Sequence, residues 1–229
     1  MRVKKQKPRL PYLIILCELI HQDSRGHWYA CVTVKNFPKT QCGTNVVGLD
    51  LGLKEAVTTS DGDTLSTKFT QKYAQKLAKA QRAGKKKQVK AIHAKIKNSR
   101  LNQIHQFTTR LVKQNALIVI GKVNSTSFTH KKTNIAKSVY DAGWFELKRQ
   151  LDYKCKYAGC LYEEVNEAYT TQTCSCYGDK SSSPKGRAGL GIRVWTCGAC
   201  NTTHDRDVNA TKNILRLGRE TLAVGSPLL

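Results

Sequence analysis

The sequence predicts an α/β protein in which a mixed sheet is flanked by helices. Short runs rich in β-branched and aromatic residues occur through the first 70 positions and are typical of strands. The apolar spacing then changes over residues 71–115 to that of amphipathic helices. The wholly apolar run 116–121 is typical of a strand that is buried on both faces. Strands followed by alternating helices and strands indicate a sheet covered by helices.

The first part of the chain contributes five predicted strands. Residues 12–18 and 28–35 form a short N-terminal β segment, and each run is followed by turn residues. The runs 46–52, 54–60 and 64–70 are separated by short Gly-containing turns and predict a meander of three strands.

The remainder alternates helices with strands. Apolar residues spaced by three or four on either side of Gly84 and a lysine triplet predict two amphipathic helices separated by a basic turn. After the strand 116–121 we expect a helix at about 136–158, a strand at 160–166 and a last helix at 207–218 that stops at Gly218. This element order is that of an RNase H-like nuclease core.

The charge distribution indicates a polyanionic partner. The chain has 39 Lys and Arg against 16 Asp and Glu, a net charge of +23. Residues 64–140 contain no acidic residue and 18 basic ones. A solvated helix face usually mixes both signs in i,i+4 pairs, so we expect this segment to bind nucleic acid. The predicted contacts are Lys85, Lys86, Lys87, Lys90 and Arg100.

The sequence argues against a membrane or exported protein. No apolar run reaches the about 18 residues that a membrane helix needs. The first 20 residues have the basic front and apolar run of a signal peptide, but Pro11 and Glu18 interrupt it and no small-residue cleavage site follows. Nine cysteines, four of them clustered late, favour metal ligation in a reducing compartment over disulfides. We therefore expect a cytoplasmic protein.

Two aspartates stand at the ends of predicted core elements. Asp50 ends an apolar strand between Gly48 and Gly52, which would let a ligand approach the backbone closely. Asp207 begins the last helix. Each has an ordinary alternative, because Asp50 could cap the turn after its strand and Asp207 could cap its helix. Phosphodiester cleavage by two metal ions needs several carboxylates that converge to hold Mg²⁺.

The late cysteines have the spacing of a zinc ribbon with one flawed half. Cys197 and Cys200 form a C-x-x-C pair. The first half, "CSCYG" at 174–178, has a C-x-C pair instead, because Tyr177 stands where the fourth ligand would fall. A buried structural cysteine pair is the alternative. We expect one Zn²⁺ ion with these ligands: Cys174, Cys197 and Cys200, with Cys176 or Asp179 as an imperfect fourth.

Four stretches together resemble the TnpB (OrfB) family of transposon-encoded RNA-guided DNA nucleases, which is related to the single-protein CRISPR effectors. They are "VVGLDLGL", "YTTQTCS", "WTCGAC" and "HDRDVNATKNI", and the resemblance runs from about residue 27 to 218. It implies a RuvC-like nuclease core interrupted by a zinc ribbon. It also implies that Asp50 and Asp207 are the first and third catalytic carboxylates and that the long basic helices face the guide RNA and target duplex.

The resemblance divides the chain into four parts. These are residues 1–45, the remnant of an N-terminal β domain; 46–173, the first part of the RuvC-like core with the basic helices; 174–204, the zinc-ribbon insert; and 205–229, the last core helix and tail. The N-terminal half of the family, which carries most recognition of guide and target, has no counterpart here, so we expect a truncated copy.

The usual second carboxylate of the family is absent, because Gly121 and Lys122 follow the apolar strand where a Glu normally stands. Glu167 offers a replacement. In an RNase H-like sheet the strands before and after the second helix are neighbours, and their carboxyl ends open onto one crevice. We therefore expect Glu167 to fill the space of a Glu at position 121 and to complete this catalytic set: Asp50, Glu167 and Asp207.

Two other glutamates lie close to Glu167 in the sequence. Strand alternation places Glu163 on the same face as Glu167 and Glu164 on the opposite face, and only Glu167 stands at the end of the strand. The alternative is that all three form ion pairs with the basic helices, which is the default for a carboxylate in so basic a protein.

The resemblance implies a Mg²⁺-dependent, RNA-guided DNA endonuclease with a structural Zn²⁺ ion. Its expected partners are DNA and a guide RNA. Two alternatives stay open: a nucleic-acid-binding protein that has lost cleavage, in line with the missing Glu, and an inactive transposon remnant, in line with Tyr177 and the missing N-terminal half.

Overall fold

The computed structural model describes residues 13–35, 41–66, 68–123, 141–180, 184–185 and 188–225. These ranges contain nine strands, whose bounds are β1 Leu13–Gln22, β2 Trp28–Lys35, β3 Asn45–Asp50, β4 Glu55–Thr59, β5 Thr64–Ser66, β6 Asn115–Gly121, β7 Leu161–Val165, β8 Val194–Thr196 and β9 Thr203–Asp205. They also contain four α-helices, α1 Phe69–Arg82, α2 Lys86–Gln114, α3 Trp144–Ala158 and α4 Arg206–Gly225, and a 3₁₀ helix at Ala188–Gly191.

A five-stranded mixed sheet forms the centre, in the order β5-β4-β3-β6-β7. Strand β6 is parallel to both β3 and β7, whereas β4 runs antiparallel to β3 and to β5. Leu49 pairs with Ile120, and Gly121 pairs with Val165. The carboxyl ends of β3, β6 and β7 therefore lie along one edge of the sheet.

Helices cover both faces of this sheet, as the apolar run of β6 predicts. Ile118 and Ile120 pack in a core cluster with residues of α2 and α3, such as Ile104 and Leu147. The residues that alternate with them, Leu117 and Val119, pack in a second cluster with residues of α4. The predicted α/β class with a mixed sheet and flanking helices is confirmed.

Two glycines let α4 approach the sheet closely. A Cβ atom on Gly48 would overlap the backbone oxygen of Thr211, and a Cβ on Gly218 would overlap the side chain of Val119. The prediction that Gly218 stops the last helix was wrong, because α4 continues to Gly225 and Gly218 serves as a contact point on β6. Gly48 likewise leaves room for a helix, where a ligand was expected.

Several element boundaries differ from the predictions. The predicted strand 64–70 ends at Ser66, because Phe69 begins α1 and is buried between α1 and α2. Helix α3 begins at Trp144, after Gly143 in the left-handed conformation (φ 68°), and residues 136–140 of the predicted helix lie outside the described residues. Strand β7 ends at Val165, so Glu167 lies in the turn beyond it.

Two smaller sheets accompany the central one. β1 and β2 form an antiparallel hairpin, as the two N-terminal runs predict. β8 and β9 form a second antiparallel pair within the cysteine-rich segment, with Trp195 opposite His204. Among the helices described, none is both long enough and apolar enough to cross a membrane.

Candidate active site and metal centre

Asp50 is the carboxylate at the end of the central strand β3. Burial raises its pKa from 3.8 to about 7, and the negative charges of Glu167 and Asp207 add to this shift. A hydrogen bond from the backbone of Leu51 and the charge of Arg206 oppose the shift without cancelling it. The Glu167 and Asp207 side chains expected at this edge therefore lie near enough to Asp50 to influence its ionisation.

Glu167 lies in the turn that follows β7, at the same edge of the sheet. Its backbone oxygen accepts hydrogen bonds from the amide of Thr170, at 3.1 Å, and from the Thr170 hydroxyl, at 2.8 Å. Within the described structure its Oε2 atom is buried and has no hydrogen-bond partner. Burial raises the pKa of Glu167, and the charge of Lys148 partly opposes this. A buried carboxylate oxygen without a donor is costly, and a bound cation would remove that cost.

The Glu167 carboxylate occupies the space next to Gly121. A Cβ atom on Gly121 would overlap Glu167 Oε2 and would lie 3.3 Å from both Glu167 Cβ and Ile214 Cδ1. The carboxylate thus stands where a side chain at position 121 would begin. This is the location expected from the absence of the usual Glu.

Glu164 differs from Glu167 in having polar partners. Glu164 forms a 2.8 Å ion pair with Lys148 of α3 and accepts a 2.8 Å hydrogen bond from the Tyr162 hydroxyl. Ion pairing, the ordinary alternative, therefore describes Glu164. Because β7 ends at Val165, strand alternation does not extend from Glu163 to Glu167, and that part of the expectation was wrong.

Asp207 lies in the first turn of α4, and a different residue caps this helix. The Asp205 Oδ1 atom accepts hydrogen bonds from the amides of Asp207 and Val208, both at 3.0 Å. Both carboxylate oxygens of Asp207 lie 2.9 Å from Nη1 of Arg193, which precedes β8. The Asp207 side chain is 34% exposed. The carboxylate is thus free of a capping role and is open to a ligand on one side.

Two asparagines of α4 fix the turn that carries Glu167. The side-chain amides of Asn209 and Asn213 both donate to the backbone oxygens of Thr170 and Thr173, at 2.6–3.3 Å. Both asparagines are buried. The sequence reasoning missed them, although two Asn residues four apart behind a helix N-terminus present adjacent side chains on one face. They join the Glu167 turn to the helix that carries Asp207.

The cysteine-rich segment brings three possible metal ligands together. The Sγ atom of Cys174 lies 3.6 Å from Sγ of Cys200 and 3.1 Å from Nε2 of His204. The ligand atoms of all three residues lie within 4.8 Å of one another, so this cluster could hold a metal ion. Cys197 is buried and packs with Cys174, Trp195 and Cys200, but it is not among the three residues whose ligand atoms lie within 4.8 Å of one another.

The cluster differs from the predicted ligand set at one position. The three-residue cluster contains Cys174 and Cys200 of the predicted set, Cys197 packs beside them, and Cys176 is exposed and stands outside the cluster. His204, which sequence reasoning missed, faces Cys174 instead. A His four positions after the second Cys of a C-x-x-C pair was the available signal. The eight cysteines whose side chains are described are all free thiols.

Two members of this cluster favour the protonation state that binds metal ions, whereas burial raises the pKa of Cys174 and favours its thiol in the metal-free protein. Burial lowers the pKa of His204, which favours the neutral imidazole. Hydrogen bonds from the side chain and backbone of Thr202 lower the pKa of Cys200 to about 7, which favours the thiolate. Neutral imidazole and thiolate are the forms that bind metal ions.

The expected nucleic-acid contacts fall into two groups. Lys85, Lys86, Lys87 and Lys90 are exposed where α1 meets α2. Lys85 lines a groove of about 580 Å³ together with Lys76, Lys79 and Lys95, and Lys90 donates a 3.2 Å hydrogen bond to the backbone oxygen of Ser24. Arg100 instead forms a 3.2 Å ion pair with Asp141 and is only 23% exposed. Four of the five residues thus belong to an open basic surface, whereas Arg100 joins α2 to the segment before α3.

Two family models match the chain. Residues 29–131 match the OrfB_IS605 family, described as "Probable transposase", and residues 144–214 match the "Cas12f1-like, TNB domain" family. The second match spans α3, β7, the cysteine-rich segment and the first half of α4.

Curated relatives match across most of the chain. A "Putative RNA-guided DNA endonuclease" of Streptomyces pristinaespiralis is 32% identical over 90% of this chain and 54% of its own length. "Putative RNA-guided DNA endonuclease InsQ" of Escherichia coli K12 is 29% identical over 89% of this chain and 57% of its own. The CRISPR-associated endodeoxyribonuclease Cas12f1 of Sulfoacidibacillus thermotolerans is 22% identical over 89% of this chain and 53% of its own length. The chain spans about half the length of these relatives.

Solved structures share the fold. A Cas12f1–sgRNA–target DNA complex gives a TM-score of 0.54 at 15% identity, covering 86% of this chain and 55% of the other. A CRISPR–Cas12f ternary complex gives a TM-score of 0.57 at 16% identity, covering 86% of this chain and 44% of the other.

Proposed function

Because this chain belongs to the TnpB (OrfB) family, we propose that it carries the nuclease part of an RNA-guided DNA endonuclease. The reaction is hydrolysis of a phosphodiester bond with the help of Mg²⁺. The strand order β5-β4-β3-β6-β7, with only β4 antiparallel to its two neighbours, supports an RNase H-like, RuvC-type core. Carboxylates along the carboxyl edge of the parallel strands support a site in the crevice where open α/β sheets bind ligands.

The proposed catalytic set is Asp50, Glu167 and Asp207. The observation that carries it is the Oε2 atom of Glu167, which is buried without a hydrogen-bond partner in the described structure and lies beside Gly121. The raised pKa of Asp50 supports the same site, because carboxylates that repel one another without a cation become favourable ligands with one.

These residues fit Mg²⁺, which prefers carboxylate oxygens and keeps several waters. Bound Mg²⁺ would supply an activated water and would stabilise the leaving oxygen. The chain positions each ligand from a different element. Asp50 is fixed by the end of β3, Asp207 by the first turn of α4, and Glu167 by the turn that Asn209 and Asn213 hold against α4.

We further propose a division of the chain by function. Residues 46–173 and 205–229 form the RuvC-type core, and residues 174–204 form a zinc-ribbon insert that holds a structural Zn²⁺ ion. Residues 1–45 form a β element before the core. DNA and a guide RNA bind along the exposed lysines where α1 meets α2.

Mn²⁺ binding tests the catalytic set without requiring cleavage. The chain is titrated with Mn²⁺ and the bound fraction is followed by electron paramagnetic resonance. Glu167→Gln, Asp50→Asn and Asp207→Asn should each weaken the affinity by about tenfold or more, because each removes a charged ligand. Asp152→Asn is the matched control, since Asp152 pairs with Lys156 on α3 and its replacement should leave Mn²⁺ affinity unchanged.

Cleavage of guided DNA is measured in parallel, in a longer relative that has Gly at the position of Gly121. The equivalent of Glu167→Gln should abolish cleavage and preserve nucleic-acid binding. If that variant cleaves like its parent, the relocated carboxylate is wrong. If the parent binds guided DNA and never cleaves it, a nuclease-dead binding protein is the better account.

A further inference from the structure

The two cysteine turns of the ribbon have the same backbone hydrogen bonds. In each turn the first cysteine accepts a 2.8 Å hydrogen bond from the amide four residues later, and that later residue has a positive φ. In each turn the amide of the first cysteine also donates to the oxygen five residues later. The matching residues are Cys174, Gly178 and Asp179 in the first turn and Cys197, Asn201 and Thr202 in the second.

This match assigns equivalent positions in the two turns. Cys200 of the second turn corresponds to Tyr177 of the first, and Ala199 corresponds to Cys176. Tyr177 is 68% exposed, and Ala199 and Cys176 are both exposed. The first turn therefore offers the centre of the ribbon one thiol, that of Cys174, and Cys176 points away because its backbone position faces outward.

His204 supplies the missing ligand from β9. Its side chain is 5% exposed, its ring lies 4.8 Å from that of Trp195, and its Nε2 atom lies 3.1 Å from Cys174 Sγ. Bonds of about 2.0–2.3 Å to a tetrahedral Zn²⁺ place ligand atoms about 3.3–3.8 Å apart. The distances from Cys174 to Cys200 and to His204 are close to this range. We propose that the ribbon holds Zn²⁺ through these ligands: Cys174, Cys197, Cys200 and His204.

A histidine ligand connects the zinc ion to the carboxylate site, a step that rests on the proposed function. His204 is followed by Asp205, the cap of α4, and then by Asp207 in the first turn of that helix. Strand β9 has only three residues, and Arg193 before its partner β8 holds the Asp207 carboxylate. Zinc bound at His204 therefore fixes the start of α4 and with it Asp207. A ribbon with all four ligands in the cysteine turns would lack this connection.

Zinc content and Co²⁺ absorption test the ligand set. The parent should bind one Zn²⁺, and its Co²⁺ form should give the spectrum of three thiolates and one imidazole. Cys176→Ala, the matched control, should keep both properties. His204→Ala should lose affinity by at least about tenfold. Tyr177→Cys/His204→Ala should regain Zn²⁺ with the spectrum of four thiolates, which shows that the first variant had not simply lost the ribbon.

Mn²⁺ affinity, measured on the same proteins, tests the connection to Asp207. Removing zinc from the parent should weaken Mn²⁺ binding by about tenfold, and Tyr177→Cys/His204→Ala should remain weak although it holds zinc. His204→Cys, which keeps a ligand on β9, should retain Mn²⁺ affinity near that of the parent.

Different contrary results would overturn different parts of the proposal. Full zinc affinity in His204→Ala, or its loss in Cys176→Ala, overturns the ligand set. Equal Mn²⁺ affinity with and without zinc overturns the connection. Failure of the zinc-loaded parent to bind Mn²⁺ overturns the connection together with the proposed function, while the zinc spectra still decide the ligand set.

Discussion

At the scale of single residues, the charge of Asp50 depends on what stands beside it. Its pKa is raised to about 7, so between pH 4 and pH 7 the folded protein holds a proton that the unfolded chain has released. The contribution of Asp50 to the stability of the metal-free protein therefore falls as the pH rises through this interval. A bound divalent cation would reverse the trend, because it stabilises the ionised form.

Asp50→Asn should accordingly stabilise the metal-free protein at pH 7.5, and the gain should shrink toward pH 5. The change in this gain between the two pH values should be on the order of 1–3 kcal/mol. Urea unfolding in the presence of a chelator measures it. Added Mg²⁺ should stabilise only the parent. A gain that is equal at both pH values would contradict the raised pKa.

Gly121→Ala tests whether the space beside Glu167 matters. The added methyl group would overlap Glu167 Oε2, so the carboxylate must move and Mn²⁺ affinity should fall by about tenfold. Gly191→Ala is the control, because a Cβ at that position meets no atom within 4 Å. Isothermal titration calorimetry with Mn²⁺ compares the two variants. Equal affinities would show that the space that Gly121 leaves for the Glu167 carboxylate has no role.

Sequence reasoning reached part of the candidate site for identifiable reasons. Asp50 and Asp207 were found because each stands at the boundary of a strongly patterned element. Glu167 was found because the absence of a Glu at position 121 directed attention to the neighbouring strand. His204 was missed because cysteine spacing pointed to Cys176 as the fourth ligand. The structural equivalence of the two turns shows that Cys176 faces outward.

At the scale of elements, the close contact between α4 and β6 depends on Gly218. On an exposed helix surface, replacement of Gly by Ala would add about 1 kcal/mol of stability. Here the methyl group would overlap both Cγ atoms of Val119, so Gly218→Ala should instead destabilise the protein by about 1–3 kcal/mol. Urea unfolding measures the change.

The double variant Gly218→Ala/Val119→Ala serves as the control for this contact. Removing the Val119 methyl groups should relieve the overlap, so the double variant should be less destabilised than the sum of the two single variants. Additive effects, or stabilisation by Gly218→Ala alone, would contradict the packing of α4 on β6.

The same contact explains which elements the sequence could predict. Regular apolar spacing identified α1 and α2, and a short, wholly apolar run identified β6. The predicted strand 64–70 ran past the start of α1, although Phe69 fits the four-residue spacing of that helix, and the end of α4 was missed because Gly218 takes its role from a tertiary neighbour. A glycine that stops a helix and a glycine that admits a neighbouring strand are identical in a single sequence.

At the scale of the whole molecule, the net charge of +23 is concentrated unevenly. Triple replacement of Lys85, Lys86 and Lys87 by Ala should weaken binding to RNA or DNA and reduce the salt dependence of that binding by up to about 2–3 logarithmic units per decade of salt. Fluorescence anisotropy at several salt concentrations measures both effects.

A charge-matched control separates local contacts from total charge. Replacing three exposed basic residues outside residues 64–140, the segment without acidic residues, removes the same charge. The three residues are Lys156, Lys212 and Arg219. This control should change affinity less and should leave the salt slope near that of the parent. Equal slopes for the two triple variants would mean that the turn between α1 and α2 makes no special contact.

Gly121 and Glu167 also bear on how intact and decayed copies of such proteins are told apart. One point in space is reached from two places in the chain, since the Cβ direction of Gly121 leads to the Glu167 carboxylate. If relatives carry an acid at position 121, as the resemblance implies, a comparison of aligned sequence positions would score that acid as lost and would overlook Glu167. A comparison of atom locations would instead group this chain with relatives whose carboxylate is carried by the end of β6. Inventories of such genes therefore depend on whether acids are counted by column or by location.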